Sequence, residues 1–98
     1  MEKTVLVGII TNVQGYEKSM DYLEELEFLT LTAGGYVNKI FTQKLNNPNP
    51  KTFIGEGKIN EIRDYIKDHE VKTVIFDDEL SATQERNISN IFNCKILD

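Results

Sequence analysis

A chain of 98 residues, 40% of them apolar, is long enough for one compact hydrophobic core and too short for two. Its formal charge of −5 argues against general nucleic-acid binding, because proteins that neutralise phosphates carry an excess of Lys and Arg. No apolar run reaches bilayer length, the start "MEKTVLVGII" lacks a small-residue cleavage site, and the lone Cys94 excludes an internal disulfide, so the expectation is a soluble, unprocessed, cytoplasmic protein.

The elements follow in order. "TVLVGII" (4–10) is short and rich in β-branched residues, as suits a strand covered on both faces. From Tyr16 to Ala33 the apolar positions Tyr22, Leu26, Leu29 and Ala33 recur at helical spacing, and Gly34 supplies a left-handed stop. "YVNKIFTQKL" (36–45) reads as the second strand, ended by "NNPNP", whose prolines and asparagines forbid regular structure. The second helix begins near Gly57 and ends around Glu70, with Ile59, Ile62 and Ile66 on one face. "VKTVIF" (71–76) is the third strand. The pattern then returns to helical period, with Ile88, Ile91 and Phe92 as the apolar stripe. Ser81 and Gln84 fit a capping box, in which each side chain answers an unpaired backbone N–H at the helix entrance. "CKILD" (94–98) is the fourth strand.

The order βαβαβαβ predicts a three-layer α/β sandwich with a four-stranded parallel sheet, joined by right-handed crossovers. The expected strand order is 2-1-3-4, with one helix on one face and two on the other. In such a sheet every strand-to-helix loop emerges at the carboxyl edge, where open α/β sheets bind ligands. Residues 11–16, 46–58 and 77–81 are expected to converge there.

Charge is unevenly spread along the chain. Residues 1–35 hold six acids and two bases, residues 36–58 one acid and four bases, and residues 59–98 nine acids and five bases. Lys39, Lys44, Lys51 and Lys58 form this middle basic segment, whose plainer reading is a solvated strand and loop edge. Within it, Gly55, Gly57 and Lys58 stand directly before a helix. This is not a Walker A loop: counting back from Gly57 finds Thr52 where glycine is needed, and Ile59 takes the magnesium-binding hydroxyl position. Nor is it a dinucleotide fingerprint, since residue 60 is Asn60. What remains is a helix N-terminus, two glycines and a cation, a generic anion site. The alternative is a tight turn needing positive φ at Gly55 or Gly57, with Lys58 solvated.

Other candidates are weighed the same way. Asp77, Asp78 and Glu79 could hold a metal or accept phosphate, but turn capping by Asp77 or Asp78 with Glu79 solvated is the plainer reading. Gln84, Arg86 and Asn87 lie on the first turns of the third helix, within reach of an RNA phosphate or sugar, unless Arg86 pairs with a carboxylate. His69 has no ligand partner close in sequence, and Cys94 reads as a small core residue.

The strings "PNPKTFIGEGKINEI" and "VIFDDELSATQERN", with "TAGG" at 32–35 and a terminal "ILD", resemble the N-terminal domain of the HflX family of GTPases across nearly all of the chain. One departure is Ala82, where the family commonly has proline at the first helical position; its absence loosens the helix start without changing the assignment. In the family "ILD" leads into an arginine and a helical linker. The resemblance implies that residues 1–98 are a single α/β domain, the N-terminal domain of a larger GTP-binding protein. That protein would bind the large ribosomal subunit and its RNA and split or rescue stalled ribosomes. GTP and Mg2+ would belong to a separate GTPase domain, since these residues carry no GTPase motif. The binding candidates are then Lys51, Gly55, Gly57, Lys58, Gln84, Arg86 and Asn87, with no catalytic or metal-binding residue. ATP is a second candidate ligand, at Gly55–Lys58, and a structural or oligomerising module a third reading.

Overall fold

In the computed structural model, which describes residues 2–98, strands and helices alternate: β1 (Glu2–Ile10), α1 (Tyr16–Thr32), β2 (Gly35–Lys44), α2 (Glu56–His69), β3 (Thr73–Phe76), α3 (Ala82–Phe92) and β4 (Lys95–Leu97). The four strands form one sheet in the order β2-β1-β3-β4, and every neighbouring pair is parallel. The fold class and strand order expected from the sequence are both found. Among the described residues no helix is long and apolar enough to cross a membrane.

The two faces of the sheet differ. On one, Val5, Val7 and Ile9 of β1, Phe41 of β2, and Val74 and Phe76 of β3 pack against Ile59, Ile62 and Ile66 of α2 and Ile88 and Phe92 of α3. Each such side chain stabilises the fold by about 1.5–3 kcal/mol relative to leaving it in water. This is the core the sequence pattern predicted.

The other face is thinner. There α1 lies over β1 and β2 and buries Ser19, Leu23 and Thr30, above Leu6 and Gly8. The expected stripe of Tyr22, Leu26, Leu29 and Ala33 is therefore not the buried one: Tyr22 remains 52% and Leu29 55% exposed. Of the two small polar residues in sheet-facing positions, Thr30 returns its hydroxyl to the Leu26 carbonyl at 2.8 Å, satisfying itself inside the helix, whereas the buried Ser19 Oγ has no hydrogen-bond partner among the described residues. Ile75 of β3 and Leu97 of β4, paired in register, carry the half of this face that α1 does not cover.

Helix ends set the loops. Gly34 takes φ 93 after α1, while Glu70 and Asn93 adopt left-handed conformations after α2 and α3 without glycine. Ser81 and Gln84 make the predicted capping box: Ser81 Oγ accepts from the Gln84 N–H at 3.1 Å, and Gln84 Oε1 accepts from the Ser81 N–H at 2.8 Å.

Candidate functional site

Because all strands run the same way, the loops after β1, β2 and β3 share the carboxyl edge of the sheet. The loop from residue 45 to 55 is tied down from both sides. Asn49 closes it: its backbone exchanges hydrogen bonds with Phe53 at 2.9 and 2.8 Å, and its Oδ1 accepts from the Lys51 N–H at 2.8 Å. Phe53 and Ile54 then plug into the core, Phe53 with its ring edge-on to Phe76 at 5.5 Å. On one flank the Gly55 N–H donates to Gln43 Oε1 of β2 at 2.8 Å. On the other, Gln84 Nε2 donates to the Asn49 carbonyl at 2.8 Å and Asn87 Nδ2 to the Lys51 carbonyl at 3.1 Å. The lysine-bearing loop and the start of α3 thus form one continuous rim.

Each candidate residue has a definite place on it. Lys51 and Arg86 are exposed, and among the described residues neither makes an ion pair within 4.0 Å. Lys58 is half-buried and paired with Glu61 at 2.9 Å. Gln84 is only 8% exposed, with both ends of its amide used inside the fold, so it acts by holding the loop. Asn87 is partly exposed and holds the loop from beside Arg86. The basic segment is not one stripe: Lys39 lies over the rings of Phe41 and Tyr65, at 4.9 and 5.3 Å from their centroids.

The glycines behave differently from the tight-turn alternative. Neither Gly55, with φ −66, nor Gly57 takes positive φ; the left-handed residue of this loop is Phe53, at φ 67. The bend there costs about 1–2 kcal/mol in local strain, offset by burial of the ring. Nothing in the sequence marks Phe53 for that conformation. Gly57 lies in the first turn of α2, with no described atom within 4 Å of where a Cβ would stand, so neither backbone nor packing requires glycine there. The α2 N-terminus has no side-chain cap hydrogen bond, and its first N–H groups are left to meet something outside the helix. Between this turn, the loop and α3 lies a cavity of about 310 Å3, lined by Lys51, Thr52, Glu56, Asn60 and Arg63 among others.

The rim turns acidic beyond α3. Asp78 Oδ1 accepts from the Glu79 N–H at 2.8 Å, the turn-capping role expected of it, and Asp98 Oδ2 accepts from the Leu80 N–H at 2.8 Å. Asp77 instead folds back over Gly8. Its Oδ1 is buried without a hydrogen-bond partner among the described residues, and burial, helped by the charge of Asp78, pushes its carboxyl up to about 6. No His, Cys, Asp and Glu side chains gather into a metal-holding group among the described residues. Burial also pushes the Cys94 thiol up to about 11, and His69 stacks on Tyr65 at 3.9 Å.

The family described as GTP-binding GTPase N-terminal matches residues 20–98. The chain belongs to that family. Over 97 residues it is 58% identical to the GTPase HflX of Flavobacterium psychrophilum and 37% identical to the GTPase HflX of Escherichia coli. These alignments take in 99% of this chain but only 24% and 22% of the two relatives, so the chain spans about a quarter of their length. The resemblance to the HflX N-terminal domain, read first from the residues, is borne out. The crystal structure of a GTP-binding protein from Sulfolobus solfataricus in complex with GDP superposes with a TM-score of 0.68. That match covers 100% of this chain and 27% of the other at 22% identity, a likeness of fold alone.

Proposed function

We propose that this chain is a single α/β domain, the N-terminal domain of a larger HflX-like GTP-binding protein. It docks that protein on the large ribosomal subunit, where the whole protein splits or rescues stalled ribosomes. The observation that carries this reading is the pair of side-chain bonds, Gln84 to Asn49 and Asn87 to Lys51, that joins the basic loop to α3. Ribosomal RNA meets a fixed rim rather than a mobile loop. Lys51 and Arg86 contact phosphates, Lys58 joins them by exchanging its Glu61 partner for phosphate, and the bare backbone at Gly57 lets RNA approach the α2 N-terminus closely, while Gly55, its N–H held by Gln43, fixes where that turn starts. Gln84 and Asn87 keep the loop in register.

GTP and Mg2+ belong, in this reading, to a GTPase domain outside these residues, joined by a helical linker, and the protein works in the cytoplasm. Pelleting the domain with purified large subunits tests the docking role: it co-sediments at low salt, and binding weakens steeply as salt rises. Absence from the pellet even at low salt overturns independent docking.

A second reading makes Gly55–Lys58 an ATP site, favoured by the uncapped first turn of α2. Titrating ATP then shifts the backbone amides of residues 55–60, and a flat response removes it. A third treats the chain as a structural or oligomerising module, since β2 and β4 are each paired on one side only. Light scattering that reports a monomer at every concentration counts against self-association.

A further inference from the structure

We propose that the cavity between the lysine-bearing loop, α2 and α3 holds one unpaired guanine of an RNA strand. The inference deepens the docking reading, on which it rests: Lys51 and Arg86 meet phosphates, and this cavity reads a base beside them.

The cavity offers about 310 Å3, at the lower end of the range for small-ligand sites. Its floor is apolar, made by the buried Ile59 and by Ile91, which packs partly buried against the core. Its polar groups are few. Glu56 and Asn60 stand four residues apart on α2, so their side chains share one face of the helix, and both are exposed. Lys51 lines the cavity from the loop and Arg63 from further along α2. A flat ring lying against the two isoleucines therefore turns its edge toward a carboxylate and an amide, with cations nearby for the phosphates on either side of it.

Glu56 is the residue that phosphate contacts leave unexplained. Among the described residues it makes no ion pair within 4.0 Å, although Lys51 lines the same cavity. An ionised carboxylate only accepts hydrogen bonds, and it repels a phosphate. What fits it is a ligand that brings donors. Of the RNA bases, guanine alone sets two donors side by side, N1–H and the N2 amino group, spaced to meet both oxygens of one carboxylate. Its O6, next to N1–H, accepts, which suits the amide N–H of Asn60. Adenine and cytosine set their amino group beside an acceptor, and uracil has a single N–H, so each leaves one carboxylate oxygen without a donor. These groups lie on the Watson–Crick edge, so only an unpaired base presents them. A free guanosine nucleotide carries the same base. RNA is the source favoured here because the cations are spread along the rim, Lys51 on the loop, Arg63 on α2 and Arg86 on α3, as successive phosphates of a strand require, and no phosphate loop gathers them.

Short fluorescent single strands of RNA, bound to the chain at one fixed low salt concentration and followed by anisotropy, test this. A strand with one guanine among uracils should bind about tenfold more tightly than strands with adenine, cytosine or uracil at that position. Guanosine monophosphate should compete only weakly for the same site. Glu56→Gln should bring the guanine strand down to the others and raise affinity for the all-uracil strand, because a repelling charge is gone. A carboxylate whose whole role is to favour the start of α2 would change stability and leave base preference as it was. Glu24→Gln, exposed on α1 across the sheet, should keep the preference. Equal affinity for all four strands, a preference that survives Glu56→Gln, or guanosine monophosphate binding as tightly as the strand overturns the proposal. A chain that pellets with large subunits yet shows no base preference loses the pocket alone, whereas one that prefers guanine but never pellets loses the docking reading alone.

Discussion

Gln84 Nε2 donates to the carbonyl of Asn49, 35 residues away in sequence, while the other end of the same amide closes the capping box of α3. One buried side chain therefore sets both where α3 starts and where the Lys51 loop lies. Gln84→Ala removes both bonds, takes the capping partner from the Ser81 N–H and leaves the Asn49 carbonyl with the Phe53 N–H alone, so it should cost about 1–3 kcal/mol in denaturant unfolding. Amide exchange at Lys51–Phe53 should quicken well before exchange in β1 does.

Gly8 and Asp77 offer a second test. A Cβ on Gly8 would stand 2.5 Å from Asp77 Oδ2 and 3.0 Å from Leu23 Cδ1, with the latter packed in the α1 interface. Gly8→Ala is expected to destabilise the fold by about 1–3 kcal/mol through overpacking, read as a lowered midpoint of thermal unfolding.

Gly57 should behave in the opposite way. With open space at its Cβ position and a helical backbone, Gly57→Ala is expected to raise stability by about 0.5–1 kcal/mol. Under the docking reading the added methyl keeps RNA from the α2 N-terminus, so the more stable variant should pellet less well with large subunits. A variant that gains stability and keeps full binding would remove Gly57 from the contact surface.

Asp77 makes stability fall as pH rises. Its folded carboxyl titrates at about 6, above the value near 3.8 expected for an unfolded chain, because burial disfavours the charge. Between those two values the folded state holds more proton than the unfolded one, so this group's contribution declines on going from pH 4 to pH 6 and stays low above it. Thermal midpoints measured over that range should show the decline, and Asp77→Asn should flatten it while raising stability at pH 7.

The sheet was legible because its signals are strong and local. Short runs rich in β-branched residues at 4–10 and 73–76, isoleucines at helical spacing in α2 and the Ser81–Gln84 pair each point to one structure, and chain alternation then implies parallel pairing. The buried side of α1 was not legible. Periodicity favours Tyr22, Leu26, Leu29 and Ala33, yet Ser19 and Thr30 are buried in their place, and small polar residues carry no hydropathy signal. The shape of the rim was also hidden, because the Gln84–Asn49 and Asn87–Lys51 bonds join positions far apart in sequence, and the positive φ fell on Phe53 rather than a glycine. Composition likewise concealed that the carboxyl edge is basic at Lys51 and Arg86 but acidic around Asp77.

The most direct test of the account is charge reversal along and away from the rim, read by pelleting with large subunits over a range of salt. Lys51→Glu and Arg86→Glu should each weaken binding and reduce the slope of log affinity against log salt by about 1, the loss of one phosphate contact. Lys72→Glu, just before β3 at the opposite edge of the sheet, should leave both unchanged. Rim variants that bind like the unmodified protein, or a Lys72 variant that falls with them, would contradict a phosphate-contacting surface on this edge.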